Sequence, residues 1–205
     1  MKLHWSPRSP FVRKVMVVAH ELGLAGQIKC VRTVAAILKP NPDIMVDNPL
    51  SKIPTLVLDD GTVIYDSPVI CEYFDNLNGP PKLHPAEGKA RLTALRWQAL
   101  GDGMMDFLLT WRNELGRPKE HQSQVHLASY VIKRASTLAS LEREADALVA
   151  MPFSIGHAAL GCALFYIDFR FIGDRWREEY PRLAAWHATI AKRPSFIATE
   201  AVDDS

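Results

Sequence analysis

The apolar positions of the first 78 residues switch between two periods, which predicts strands interleaved with helices. Short apolar or alternating runs predict strands at 2–5, 27–33, 55–58 and 63–65. Helical spacing follows Ser9-Pro10 and again Ser67-Pro68, where serine is a good helix cap and proline fits the first helical position. The predicted order is βαβ followed by ββα, which is typical of a small α/β domain.

Beyond residue 85 the pattern keeps the helical period and shows no convincing strand. We expect amphipathic helices over 86–115, 124–148 and 183–190, and an almost wholly apolar, buried helix over 155–171. The segment between the two halves is rich in glycine and proline and is typical of a linker. The predicted domains are therefore an α/β domain at 1–78, a linker at 79–85 and an all-helical domain at 86–205.

Composition and charge narrow the possible function classes. Apolar residues make up 48% of the chain and charged residues 23%, which is typical of a globular protein. The 24 basic residues balance 23 acidic ones, so we expect neither nucleic acid nor a membrane surface as a partner. The chain near Met1 has no apolar signal-peptide core, and no apolar run reaches the roughly 18 residues that a membrane span needs.

The cysteine pattern indicates the compartment. Cys30, Cys71 and Cys162 are widely spaced and match neither a disulfide framework nor a metal-ligand motif. We therefore expect buried thiols in a reducing compartment, the cytoplasm, and no metal site.

Two short segments carry the candidate chemistry. In the first, Asn48-Pro49-Leu50-Ser51-Lys52-Ile53-Pro54, a proline stands directly before a predicted strand. If the Ile53–Pro54 bond is cis, the backbone N–H and C=O of Ile53 are left to pair with an extended peptide ligand. In the second, Asp66-Ser67-Pro68, a carboxylate and a hydroxyl stand at a helix entrance, where free N–H groups stabilise an anion. Together the two segments predict a site for a small zwitterionic peptide.

These residues resemble those of the cytosolic glutathione S-transferases. The resemblance rests on four segments that occur in the same order: 9–15, 48–54, Asp66-Ser67 and Arg193-Pro194-Ser195-Phe196. The active-site loop contains no tyrosine, which is similar to the serine-type branch that is common among bacterial members. The resemblance implies a thioredoxin-like first domain, an all-helical second domain and a homodimer. It also implies that glutathione is the co-substrate and that its thiolate attacks a small hydrophobic electrophile, in a detoxification reaction.

The resemblance assigns two roles around the thiol. Ser9 is expected to donate its hydroxyl to the glutathione sulfur, and Ser6 is the reserve candidate. Ile53 is expected to make main-chain bonds to the cysteinyl residue, with a cis Pro54 behind it.

The resemblance also assigns contacts to the two ends of glutathione and to the second substrate. Asp66 is expected to pair with the ammonium of the γ-glutamyl end, and Ser67 to bind its carboxylate. Lys52 and Lys39 are the candidates for the glycyl carboxylate. The possible apolar walls for the electrophile are Phe11, Met105, Phe107, Leu108 and Trp111.

Several other functions remain possible at this point. The same site could serve an isomerase or a lyase, or the chain could be a non-catalytic, transferase-like binding or regulatory protein. Thiol–disulfide exchange is disfavoured because Ser9 cannot form a mixed disulfide.

In the family, the buried helix of the second domain begins with Ser/Thr-x-x-Asp, whereas here the segment is Ser154-Ile155-Gly156-His157. We expect Ser154 to cap this helix without the reciprocal contact from an acid, at a cost in stability.

Overall fold

The computed structural model describes residues 1–77, 79 and 82–204, and the chain divides into two compact units. The first unit comprises Met1–Gly88 together with Pro194–Ser205, and the second comprises Lys89–Arg193. The sequence placed 194–205 in the helical domain, so the return of these residues to the first unit differs from the predicted division. Part of the predicted linker, residues 80 and 81, lies outside the described residues.

A four-stranded mixed sheet forms the centre of the first unit, and its strands lie side by side in the order 29–32, 2–5, 55–57 and 63–64. The strands are β1 (Lys2–Trp5), β2 (Lys29–Arg32), β3 (Thr55–Val57) and β4 (Val63–Ile64). Strand β1 pairs in parallel with β2 and antiparallel with β3, and β3 pairs antiparallel with β4. Leu3 and Leu56 are paired across β1 and β3 and are fully buried, so this face of the sheet contributes to the core. All four strands predicted from the sequence are present.

The helices of the first unit are α1 (Pro10–Glu21), α2 (Pro42–Met45), α3 (Ser67–Asn76) and α10 (Pro194–Ile197). Helix α1 begins as predicted, with Ser9 Oγ accepting the backbone N–H of Val12 at 3.3 Å and Pro10 in the first turn. Its apolar face is fully buried and packs against α3. Helix α2 is a single turn, because Pro40 and Pro42 prevent a longer helix in this segment. The predicted order βαβ, then ββα, is confirmed.

The second unit is helical. Its helices are α4 (Gly88–Leu115), α5 (Gln124–Arg143), α6 (Ala145–Ala150), α7 (Ile155–Arg170), α8 (Trp176–Glu179) and α9 (Pro181–Ile190). Every residue of α7 from Ile155 to Leu164 is buried, which confirms the prediction of a buried central helix. None of the helices in the described ranges combines the length and the apolar character that a membrane crossing requires.

Helices α4 and α7 approach each other closely through glycines. A Cβ atom on Gly156 would lie 2.7 Å from both the carbonyl oxygen of Ala94 and the Cβ of Trp97. A Cβ atom on Gly101 would lie 2.6 Å from the backbone of Ala159. Because real Cβ atoms do not approach other atoms this closely, a larger side chain at either position would push the two helices apart.

The sequence predicted one continuous helix over 124–148, and this prediction is wrong, because the structure has two helices there. Helix α5 ends at Arg143 and α6 begins at Ala145, with Glu144 between them in a non-helical conformation. The Glu144 carboxylate accepts hydrogen bonds from Arg96 at 2.9 Å and from the Trp97 indole N–H at 2.8 Å. The break therefore coincides with a tertiary contact to α4, which a periodicity argument does not include.

The start of α7 corrects a second expectation. The Ser154 N–H donates to His157 Nδ1 at 3.1 Å, and His157 Nε2 lies 3.0 Å from the carbonyl oxygen of Leu148. The expectation that the reciprocal contact is lost is wrong, because a neutral imidazole nitrogen accepts the same N–H that a carboxylate would. Burial lowers the pKa of His157, with a smaller contribution from the Arg193 charge, and this favours the neutral ring.

Candidate functional site

The strand register brings separate chain segments to one edge of the sheet, which we call the β1 carboxyl edge. Strand β1 ends here, and the loop to α1 follows. Strand β3 starts at this edge, because it runs antiparallel to β1 and Thr55 pairs with His4. Strand β4 ends at the same edge, because Ile64 pairs with Leu56. The register therefore brings together the loop that contains Ser9, the segment before β3 and the segment after β4, as a site of three segments requires.

Ser9 is half-buried at the start of α1. Its backbone N–H donates to the carbonyl oxygen of Ser6 at 3.2 Å, and its Oγ accepts the N–H of Val12. This cap uses a lone pair of Oγ, so the hydroxyl hydrogen is available to an acceptor in front of the helix. Ser9 can therefore cap the helix and donate to a thiolate at the same time.

Ser6, the reserve candidate, has a different environment. Its side chain is buried, and its Oγ accepts the N–H of Arg8 at 3.3 Å. Together with the bond from the Ser9 N–H, this contact shapes the turn between β1 and α1.

The second segment of the site precedes β3. The Ile53–Pro54 peptide bond is cis, as the family resemblance implied. Ile53 is half-buried, whereas Lys52 is exposed. The buried side chain of Asn48 donates hydrogen bonds to the carbonyl oxygen of Lys52 and to Oγ1 of Thr55. No role for Asn48 was expected from the sequence.

Asp66 and Ser67 form the third segment, at the entrance of α3. Asp66 is exposed at the N-cap position, and its carbonyl oxygen accepts the N–H of Ile70 at 3.1 Å. Ser67 is buried and begins the helix. The Tyr65–Asp66 peptide bond is also cis. Free backbone N–H groups and the positive end of the helix dipole favour an anion at this position.

The other charged side chains near this edge differ in their exposure and in their ion pairs. Lys39 is exposed in the segment that leaves β2 at the same edge. Arg8 and Arg32 both contact Asp204, at 3.0 Å and 2.5 Å, and the hydrogen bond from Arg32 holds the pKa of Asp204 below its usual value. The sequence pattern did not indicate this contact, because the last residues were expected to belong to the other domain.

The residues considered for the electrophile differ in exposure. Phe11 is half-buried on α1, and Phe107 and Trp111 are half-buried on α4. Met105 and Leu108 are fully buried, so they belong to the core of the second unit. The Trp111 ring lies 4.8 Å from the ring of Phe171. A role for any of the five in binding the electrophile stays a prediction.

Within the described ranges, no three side chains of His, Cys, Asp or Glu come together closely enough to hold a metal ion. The three cysteines form no disulfide, and Cys71 and Cys162 are buried as expected. Cys30 is exposed on β2, so the expectation of buried thiols is wrong for this residue. The polar groups at the β1 carboxyl edge are the hydroxyls of Ser9 and Ser67, backbone N–H groups, the Asp66 carboxylate, the lysines, and Arg8 and Arg32 with their partner Asp204.

Comparisons with known proteins agree with this arrangement. Residues 8–77 match the family model of the glutathione S-transferase N-terminal domain, and residues 124–189 match that of the C-terminal domain. An uncharacterized GST-like protein of Escherichia coli K12, YibF, is 32% identical, with 98% of each chain covered. Glutathione S-transferase stcT of Emericella nidulans is 27% identical over 95% of this chain and 89% of its own.

Solved structures show the same similarity. A glutathione transferase family member from Pseudomonas fluorescens Pf-5 with bound glutathione is 40% identical, with a TM-score of 0.94 and 98% of each chain covered. A glutathione S-transferase from Methylobacillus flagellatus KT with glutathione bound is 34% identical, with a TM-score of 0.87 over 98% of this chain and 99% of its own. These similarities support a thioredoxin-like first unit and a helical second one.

Proposed function

The chain belongs to the glutathione S-transferase family, and we propose that it activates the glutathione thiol for attack on a small hydrophobic electrophile. The observation that carries the proposal is the position of Ser9, whose hydroxyl caps α1 and keeps its hydrogen available at the β1 carboxyl edge. Two relatives with 40% and 34% identity hold glutathione in their structures, which supports the choice of co-substrate.

Ser9 can supply a large part of the stabilisation that the thiolate needs. A free thiol has a pKa of about 8.5, so only a few per cent is ionised at neutral pH. Lowering this pKa by about two units requires about 2.7 kcal/mol of preferential thiolate stabilisation. One hydroxyl donor and one helix N-terminus each contribute on the order of 1 kcal/mol.

The rest of glutathione would be held along the same edge. Ile53 pairs through its backbone with the cysteinyl residue, and Asp66 binds the γ-glutamyl ammonium. Ser67 and the N-terminus of α3 bind the γ-glutamyl carboxylate. Lys52 and Lys39, both exposed, are the candidates for the glycyl carboxylate.

We also propose a homodimer in the cytoplasm. Residues 37–50 expose several large apolar side chains, which water contacts at a free-energy cost. These are Ile37, Leu38, Val46 and Leu50. Light scattering of the purified protein gives the molar mass directly, and a mass of one chain at micromolar concentration contradicts the dimer.

The first experiment is a pH titration of the thiolate absorbance of glutathione bound to the protein, with the Ser9→Ala variant in parallel. We expect the pKa of the bound thiol to fall below that of free glutathione in the wild type, and to rise in Ser9→Ala by about one unit, the value of one hydrogen bond. Ser6→Ala is measured alongside, because Ser6 is the reserve candidate, and we expect it to leave the pKa of the bound thiol unchanged. A rise in that pKa in Ser6→Ala alone would assign the thiol contact to Ser6. An equal pKa in the wild type and Ser9→Ala contradicts the role of Ser9.

The same titration separates the alternative functions. Glutathione that binds with the pKa of the free thiol indicates a carrier or a regulatory protein. A lowered pKa without conjugation of model electrophiles indicates an isomerase or a lyase. No binding at millimolar glutathione contradicts the proposed function altogether.

A further inference from the structure

Asn48 begins the segment that carries Ile53, and its side chain is only 1% exposed. Both ends of its amide are used inside the segment. The Oδ1 atom accepts the N–H of Leu50 at 3.0 Å. The Nδ2 atom donates to the carbonyl oxygen of Lys52 at 3.2 Å and to Oγ1 of Thr55 at 2.9 Å. Asn48 therefore binds both the loop and the first residue of β3.

Thr55 holds the same carbonyl group. Its side chain is fully buried, and its Oγ1 donates to the carbonyl oxygen of Lys52 at 2.9 Å. The Lys52 carbonyl thus accepts hydrogen bonds from two buried side chains, although the Lys52 side chain itself is exposed. Since a buried hydrogen bond is costly to leave unmade, these contacts fix the direction in which this carbonyl points.

The direction of that carbonyl sets the direction of the Ile53 N–H, because both belong to one planar peptide group. Among the described residues the cis peptide bonds are Ile53–Pro54 and Tyr65–Asp66, so the bond from Lys52 to Ile53 is trans. In a trans peptide group the C=O and the N–H point in opposite directions. The Lys52 carbonyl points towards Asn48 and Thr55, and the Ile53 N–H therefore points away from them.

The backbone of Asn48 anchors this arrangement to the core. Its N–H donates to the carbonyl oxygen of Ile44 at 2.7 Å, and its carbonyl oxygen accepts the N–H of Ser51 at 2.9 Å. Ile44 is fully buried in α2. The peptide group between Lys52 and Ile53 is therefore held by a connected set of hydrogen bonds that extends to the buried residue Ile44.

We propose that Asn48 and Thr55 are positioning residues that aim the Ile53 N–H at the backbone carbonyl of the peptide ligand. The inference rests on the proposed function, since the ligand is glutathione. In this proposal Asn48 and Thr55 increase the affinity for the peptide part of glutathione, whereas Ser9 lowers the pKa of the thiol. Substitutions that change the direction of the Ile53 N–H should therefore weaken binding and raise KM, and leave the pKa of the bound thiol and kcat unchanged.

The test compares glutathione affinity by calorimetry in the wild type, Asn48→Ala, Thr55→Val and Thr55→Ser, below the unfolding transition of each protein. Asn76→Ala is the matched control, because the Asn76 amide also donates to a carbonyl, that of Glu72 at 2.9 Å, but is exposed at the end of α3. We expect about tenfold weaker binding in Asn48→Ala and Thr55→Val, the value of one well-directed hydrogen bond. Thr55→Ser keeps the hydroxyl and should bind like the wild type, as should Asn76→Ala.

A second measurement reports on the peptide group itself. In glutathione titrations of ¹⁵N-labelled protein, the Ile53 amide resonance should shift strongly in the wild type and less in Thr55→Val. The pair Thr55→Val and Thr55→Ser provides the test if Asn48→Ala does not fold.

The outcomes separate the two ideas. If folded Asn48→Ala and Thr55→Val bind glutathione as tightly as the wild type does, the positioning role is overturned and the residues only stabilise the loop. If these variants raise the pKa of the bound thiol by about one unit while they weaken binding about tenfold, the division of roles with Ser9 is overturned. If the wild type itself does not bind glutathione, the proposed function fails, and this inference fails with it.

Discussion

Replacing His157 by alanine should destabilise the second unit by about 3–5 kcal/mol, because the ring satisfies two buried backbone groups at the start of α7. The Ser154 N–H donates to Nδ1, and Nε2 lies 3.0 Å from the carbonyl oxygen of Leu148. The ring also packs edge-on against Trp97, with 5.2 Å between the ring centroids. His157 is 2% exposed, so water does not replace these contacts at the surface.

The magnitude follows from what alanine leaves behind. Each buried backbone group without a partner costs about 1–3 kcal/mol. The aromatic contacts add about 0.5–1.5 kcal/mol. The two backbone groups and the aromatic contacts together give about 2.5–7.5 kcal/mol, and water that enters the space offsets part of this loss, so we place the total in the lower half of that range. Ser154→Ala is measured in parallel. The Ser154 hydroxyl lies 2.8 Å from His157 Nδ1, so this variant removes that contact but keeps the bond from the Ser154 N–H, and it should cost about 1 kcal/mol.

The same contact should make the second unit sensitive to acid. The neutral ring accepts at Nδ1 and donates at Nε2, and protonation would place a donor against the Ser154 N–H. Burial lowers the pKa of His157 in the folded protein below the ordinary value of 6.5. The folded state therefore binds fewer protons than the unfolded chain below that pH. The stability from His157 is complete above pH 6.5 and is lost as the pH falls towards the folded pKa, by at most about 1.4 kcal/mol per pH unit.

Urea unfolding at about pH 7.5 and about pH 5 measures both effects, with tryptophan fluorescence as the signal. The signal reports mainly on the second unit, which contains Trp97, Trp111, Trp176 and Trp186. His157→Asn cannot titrate in this range, and other histidines contribute equally to both proteins. A cost below about 1 kcal/mol in His157→Ala, or an equal pH dependence in the wild type and His157→Asn, would refute the reasoning.

Two further predictions concern packing and charge. Gly156→Ala should destabilise the protein by about 1–3 kcal/mol in urea unfolding, because its Cβ would lie 2.7 Å from Ala94. Gly103→Ala, whose Cβ meets nothing within 4 Å, should be neutral or stabilising, and equal costs at the two glycines contradict the close helix contact. Asp75→Asn should cost about 2–4 kcal/mol at neutral pH, because the carboxylate accepts the N–H groups of Lys82, Leu83 and His84. Burial acts to raise the pKa of Asp75, but these bonds hold it below 3.8, so its contribution is present above that pH and is lost in acid. An acid-unfolding midpoint that does not change in Asp75→Asn would contradict this assignment.

Local signals in the sequence predicted several features correctly. Ser9-Pro10 and Ser67-Pro68 both mark helix starts, because the preferences of serine and proline act within one turn of chain. The expected serine cap forms only at α1, since at α3 the N-cap is Asp66, which makes no side-chain cap bond, and Ser67 is the first helical residue. The cis bond at Ile53–Pro54 was expected from the family resemblance, and the local sequence only allowed it, because proline lowers the cost of a cis peptide bond. The almost wholly apolar segment that became α7 had to be buried whatever its partners were.

Other features depend on contacts between distant residues, and the sequence pattern did not show them. The interruption of the predicted 124–148 helix at Glu144 coincides with bonds from Arg96 and Trp97 on another helix. The return of the last residues to the first unit places Asp204 against Arg8 and Arg32. The cap at His157 was missed because a family pattern of acids does not show that a neutral ring can accept the same bond.

The candidate site shows the same division. The sequence by itself determined which groups are available, namely the Ser9 hydroxyl, the Asp66 carboxylate and the segment around Ile53, because their chemistry and helix-start preferences are local. Only the tertiary structure brought them to one edge of the sheet, since the register of β1, β3 and β4 sets which loops are neighbours. It alone also showed that Asn48 and Thr55 hold the peptide group before Ile53, because the direction of a backbone N–H depends on where the buried partners of its own carbonyl lie.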